Sequence, residues 1–151
     1  MYLLIGILLL TIDQYSKYLV RSQMEVFESI PLIPDFFHLT YVQNRGAAFG
    51  AFQGGSKAFA LITFFILFAV LYFFWKNPHL TASWKTTLIV ITSGAVGNLI
   101  DRLWLGYVVD MLDFRGIWSY IFNFADICVV LGGVILGILI LKDDTVLEKR
   151  K

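Results

Sequence analysis

Two aspartates stand out by position. Asp126 is the only charged residue between Gly116 and Leu141, and it follows Asn123 by one helical turn at the head of an apolar run. Asp110 follows the β-branched pair Val108-Val109, just past Gly106, where the chain is expected to reverse. If these segments meet, two carboxylates share a site in which both cannot ionise cheaply. One then holds a proton while the other stays basic, and this pair suits peptide hydrolysis. The charged acid takes a proton from attacking water, and the protonated acid donates to the oxyanion or the leaving nitrogen. Residue types alone do not say which aspartate carries the proton. A simpler role for Asp126, contact with its own helix N-terminus, is open at this point. Other hydrolytic plans lack parts: a single cysteine makes no intrachain disulfide, and the topology expected below puts His38 and His79 on opposite sides, which leaves no zinc set, no cysteine–histidine pair and no serine triad.

Further polar residues accompany the pair. Asp13 and Lys17 are four apart and predict an ion pair on one helix face. Asn98, Asp101 and Arg102 share a face by their spacing, either as a helix end tied down by hydrogen bonds or as part of a site. Charges within apolar spans are costly enough to call for partners or a function.

The elements that must position these groups are membrane helices. Of 151 residues, 58% are hydrophobic and 15% charged, against roughly 45–50% and 25% in soluble domains. Mean hydropathy is +0.75, and this surplus of apolar surface must face lipid. Four runs approach the ~20 residues a bilayer requires, at about 2–20, 58–75, 84–100 and 121–141, in what is expected to be a single domain over 1–151. Trp75, Trp84, Trp104 and Trp118 lie near their ends, as interfacial indoles do. A cleavable secretory signal at the N-terminus is disfavoured by the lack of a basic start and of a small-residue cleavage site.

Lys76 and Lys85 bracket one short connection, and Lys142, Lys149, Arg150 and Lys151 mark the tail. Both are therefore expected to be cytoplasmic, with both termini inside and the two longer connections outside. This topology brings the outer ends of spans three and four together, and so Asp110 and Asp126, while it separates His38 from His79. The outer stretch from Ile30 to Phe52 mixes prolines, glycines and β-branched or aromatic residues and predicts short strands at the membrane surface. Its apolar part is expected to clamp an extended peptide, with Phe49 or its neighbours lining the clamp. A net charge of +1 without a basic stripe tells against nucleic acid as a partner.

Five motifs, in order, then carry a resemblance: Asp13-Gln14-Tyr15-Ser16-Lys17, Asn44-Arg45-Gly46-Ala47-Ala48-Phe49, Gly97-Asn98-Leu99-Ile100-Asp101-Arg102, Val108-Val109-Asp110 and Phe122-Asn123-Phe124-Ala125-Asp126. Together they span nearly the whole chain, which resembles the bacterial lipoprotein signal peptidases, or signal peptidase II. The resemblance implies an all-α polytopic protein of the bacterial cytoplasmic membrane, with four transmembrane helices, a small extracytoplasmic β-cradle and a surface helix. It implies an aspartyl endopeptidase, without metal or cofactor, that acts near the outer face. Its substrates would be diacylglyceryl-modified prolipoproteins, cut just before the lipidated cysteine, and its other partners membrane lipids and inhibitors of the globomycin type.

By motif position, Asp110 and Asp126 would be the catalytic pair. Asn44, Asn98, Arg102 and Asn123 would bind substrate or orient the pair, while Asp13, Lys17 and Asp101 would be structural. The Val-Val-Asp pattern favours Asp110 over Asp113. A proton or ion pathway is the rival class, but it predicts polar residues through the whole bilayer depth, and spans two and four have almost none below their outer ends. A structural assembly protein, supported only by Gly133 and Gly137 as a small-residue packing pair, leaves the acids unexplained.

Overall fold

The structure, a computed structural model, describes residues 1–46 and 56–142. Its elements run α1 (Tyr2–Gln23), β1 (Ser29–Ile33), β2 (Phe37–Asn44), α2 (Ser56–Lys76), α3 (Ala82–Trp104), β3 (Val108–Phe114) and α4 (Phe124–Lys142). The Ile30–Phe52 clamp is described as far as residue 46, and Phe49 lies outside the described residues. The surface helix is not among the described residues, where the helices are the four long ones.

Three of those helices are long and apolar enough to cross a membrane: Tyr2–Gln23, Ala58–Lys76 and Phe124–Lys142. On α2, Phe64, Phe65, Phe68 and Leu71 are all exposed, as lipid-facing side chains are. The third expected span, α3, is less apolar because it sits in the middle and packs against α1, α2 and α4. Its hydroxyls are satisfied within the helix: Thr87 donates to the Ser83 carbonyl, Thr92 to Leu88 and Ser93 to Ile89, at 2.6–2.8 Å. Close approach depends on small residues. A Cβ on Gly94 would meet the Ala125 carbonyl oxygen, and one on Gly97 would meet the Asp13 carboxylate. On α4 the glycine in close contact is Gly132, which faces Ile91. Gly133 and Gly137 have nothing described within reach of an added Cβ, so they do not pack α4 against the other described helices. Of the tryptophans near helix ends, Trp84 is buried beside Phe73, whereas Trp75 and Trp104 are exposed.

The strands form one antiparallel sheet in the order β1-β2-β3. Alternation along β3 sends Val109 and Met111 to one face, where they join Val20 and Met24 of α1 and Tyr41 of β2 in a buried cluster. Asp110 consequently points to the opposite face. The turn before β3 forms at Gly106, whose φ of +80° suits glycine. The fourth helix begins at Phe124 rather than near residue 121, because Phe122 is held in extended form as a bridge to Leu112. The Leu112 N–H donates to the Phe122 carbonyl at 2.8 Å, and the Phe122 N–H returns the bond at 3.2 Å.

Candidate active site

The first turn of α4 is built by a reciprocal cap. Asn123 Oδ1 accepts the Asp126 N–H at 2.9 Å, while Asp126 Oδ2 accepts the Asn123 N–H at 3.2 Å. This is the capping-box arrangement with an aspartate as the second partner, so part of the simpler role for Asp126 is real. The other Asp126 oxygen is not used by the cap. Oδ1 accepts from Asn98 Nδ2 of α3 at 2.8 Å.

Asp110 reaches the same place from β3. It pairs with Val42 across the sheet, and Asn44, two residues further along β2, is its diagonal neighbour on the same face. Asn44 Nδ2 donates to Asp110 Oδ2 at 2.9 Å, and Asn123 Nδ2 donates to Oδ1 at 2.7 Å. Asn123 therefore touches both acids, one through its side chain and the other through its cap. Asp110 is almost wholly buried. Burial pushes its carboxyl up to about 7, the nearby Asp126 charge adds to this, and the two amide donors and the Lys17 charge oppose it.

Behind the pair lies an ionic cluster. Lys17 Nζ is 2.9 Å from Asp13 and 3.1 Å from Asp101, and donates to Asn98 Oδ1 at 2.9 Å. Asp13 and Lys17 form the expected ion pair, and at 1% and 2% exposed both are buried among the helices. The two carboxylates also hold backbone: Asp13 Oδ1 accepts the Ala125 N–H at 2.9 Å, and Asp101 Oδ2 accepts the Val109 N–H at 3.1 Å. Gln14 escaped the residue-type argument although it lies within a quoted motif. Its amide nitrogen reaches Asp13, the Gly97 carbonyl and Asp101 at 3.0–3.2 Å. The available signal was its place between two residues of one ion pair, a position where an exposed glutamine would have little to do.

Arg102 is placed at the site but does not pair with either acid. Its Nη1 donates to the Asn98 carbonyl at 3.3 Å, and its buried Nε has no protein partner. Asp113 is elsewhere, accepting from Thr40 at 2.8 Å and Arg115 at 3.1 Å on the sheet. Asn44, Asn98, Arg102, Asp110 and Asp126 line one cavity of about 500 Å³, whose remaining wall is apolar and includes Phe114, Ile117, Trp118, Val129 and Val130.

A two-carboxylate cleft at one end of a membrane helix bundle defines the class of protein. A profile of the family described as signal peptidase (SPase) II matches residues 5–142. The chain belongs to that family, and is thus a protease of lipoprotein processing in a bacterial membrane. It is 48% identical to the lipoprotein signal peptidase of Fusobacterium nucleatum over 136 residues, which are 89% of this chain and 82% of the relative. It is 46% identical to that of Clostridioides difficile, covering 93% and 95% of the two chains. Two solved bacterial membrane enzymes have similar folds. One gives a TM-score of 0.89 at 35% identity, over 95% of this chain and 88% of the other. The second gives 0.84 at 34%, over 94% and 93%.

Proposed function

We propose that this protein is an aspartyl endopeptidase that removes signal peptides from diacylglyceryl-modified prolipoproteins, cleaving just before the lipidated cysteine. The observation that carries the reading is the pairing of Asp110 and Asp126 through Asn123, at the polar end of a cavity with an apolar wall. One protonated and one ionised acid supply both the base for water and the acid for the leaving nitrogen. The four carboxylate oxygens each accept one N–H from the protein. The proton of the pair therefore occupies a remaining lone pair, and in our reading this one faces the cavity, where it meets substrate.

Asn44, Asn98 and Asn123 orient the acids, while the Arg102 guanidinium, on the cavity wall, holds the substrate backbone. The apolar wall accepts the lipid-bearing side of the peptide, so acyl chains stay in the bilayer as the scissile bond reaches the acids. In this reading α3 is a fourth span, and its 23 residues reach roughly 34 Å. Both termini are cytoplasmic, the site lies near the outer face, and residues 1–151 act as one domain without a cofactor. A cyclic peptide of the globomycin type blocks the site by placing a polar group between the acids.

The test is cleavage of a diacylglyceryl-modified prolipoprotein by purified protein, comparing wild type with Asp110→Asn and Asp126→Asn. Each variant should fold and lose cleavage by about 10⁴-fold or more, as loss of one member of a cooperating pair does. Full activity in both would remove the two-aspartate mechanism.

A further inference from the structure

We infer that Lys17 is a positioning residue for the two acids: its ammonium is the stronger of two donors that hold the oxygen end of the Asn98 amide, and so helps keep an N–H donor on Asp126. The inference rests on the reading of Asp110 and Asp126 as the reacting pair and adds a residue that touches neither.

An amide has a donor end and an acceptor end, and only neighbours with a fixed role can decide which end faces where. Backbone N–H groups and ammonium groups always donate. Asn44 Oδ1 is held by the Gly46 N–H at 3.0 Å, and Asn123 Oδ1 by the Asp126 N–H at 2.9 Å. Both amides must therefore turn their NH2 groups toward Asp110. Asn98 lies within α3, and the charged group that holds its amide is Lys17 Nζ, 2.9 Å from Oδ1. The Asn123 NH2, itself fixed by the Asp126 N–H, supplies a second donor to Asn98 Oδ1 at 3.1 Å with the hydrogen that does not serve Asp110, so the ammonium is the shorter and only charged one of two holds on this oxygen.

Without the ammonium, Asn98 Oδ1 keeps only the longer bond from Asn123, and the amide can turn its oxygen toward Asp126 at the cost of that one bond. Two oxygens would then face each other unless the acid were protonated, and the ionised form would lose its donor. Lys17 has no capacity left for anything else. Its three N–H bonds are matched by Asp13, Asp101 and Asn98, and the side chain is buried. A purely structural ion cluster would need the two carboxylates only. The third bond leads to the reacting pair.

The experiment compares Lys17→Met with Lys17→Gln, both in an Asp13→Asn background, so that loss of the ammonium does not leave two buried carboxylates together. The replacements are close in size and equally uncharged, but only glutamine can donate to Asn98. With a diacylglyceryl-modified prolipoprotein, Lys17→Met should lower kcat about 10- to 100-fold relative to the background, with KM changed less than about threefold. Lys17→Gln should stay within about tenfold of the background. The difference between them should vanish once Asn98→Ala is added, because no amide remains to be oriented.

Equal kcat for the two variants, a loss confined to KM, or a difference that persists without the Asn98 amide would overturn the proposal. If Lys17→Met does not unfold cooperatively, Lys17→Gln decides alone: a folded variant that has lost more than about tenfold in kcat refutes it, and a smaller loss supports it. Asp110→Asn in the same background separates the two readings. Retained cleavage there strikes at the aspartyl mechanism itself, whereas lost cleavage leaves the Lys17 comparison to judge the relay.

Discussion

The carboxylate of Asp101 holds the backbone N–H of Val109 at 3.1 Å, one residue before Asp110. Asp13 does the same for Ala125, one residue before Asp126. Two acids unsuited to catalysis by their ion pairing with Lys17 thus anchor the chain next to the two that are free to react. Replacing Asp101 by Ala removes a partner of Lys17 and orphans the Val109 N–H. Breaking a buried pair in this way should cost about 3–5 kcal/mol. Thermal unfolding in detergent measures it, and Asp101→Asn, which still offers an oxygen, should lose less.

The Asp110 carboxyl predicts an unusual pH dependence of stability. Its folded value of about 7 lies above the ordinary 3.8, so the folded state binds the proton more tightly than the unfolded state does. The contribution of this group is therefore favourable at low pH and is lost as pH rises from about 4 through about 7. The full difference corresponds to at most about 4 kcal/mol. The unfolding midpoint of the wild type should fall between pH 5 and 8, and Asp110→Asn should flatten that slope. An identical slope in both proteins would refute the assignment.

Glycine substitutions should separate packing from open surface. Gly94→Ala drives a methyl group against the Ala125 carbonyl, so α3 and α4 must part near the base of the site. About 1–3 kcal/mol of stability should go, together with activity. Gly133→Ala and Gly137→Ala meet nothing and should be neutral or stabilising by up to about 1 kcal/mol, since alanine is the better helix former. Parallel melting curves of the three variants decide this.

Asp113→Asn is the control for the assignment of Asp110. Asp113 serves Thr40 and Arg115 at the sheet, so its loss should cost about 1 kcal/mol and leave cleavage within about twofold. A collapse of activity comparable to that of Asp110→Asn would reopen the choice between the two acids.

Much of the site was legible because membrane helices make charge conspicuous. Asp126 stood alone in an apolar run, and Asp13 with Lys17 carried helical spacing, so isolation and periodicity were enough. Gly106 likewise announced the reversal that brings Asp110 back. What stayed hidden depends on tertiary contact. The lower apolarity of α3 reads as a weaker span until three helices surround it. The spacing of Trp84 from the end of its run does not reveal that α2 covers it. The start of α4 was placed too early because Ile121 and Phe122 continue the apolar pattern, while the bridge to Leu112 that holds Phe122 extended comes from a distant strand. Gly133 and Gly137 have the spacing of a packing pair, but the glycine that meets α3 is Gly132, which spacing alone does not single out.

Val130 and Leu131 help to line the cavity and are also well exposed, so the cleft wall is continuous with the outer surface of α4. A substrate anchored by acyl chains would approach such a wall sideways, by diffusion in two dimensions. Its encounter rate would follow its mole fraction in the bilayer or micelle rather than its amount per volume of solution. Inert detergent added at fixed enzyme and substrate would then slow the reaction by surface dilution, and any Michaelis constant for this protein would carry the composition of its surrounding lipid.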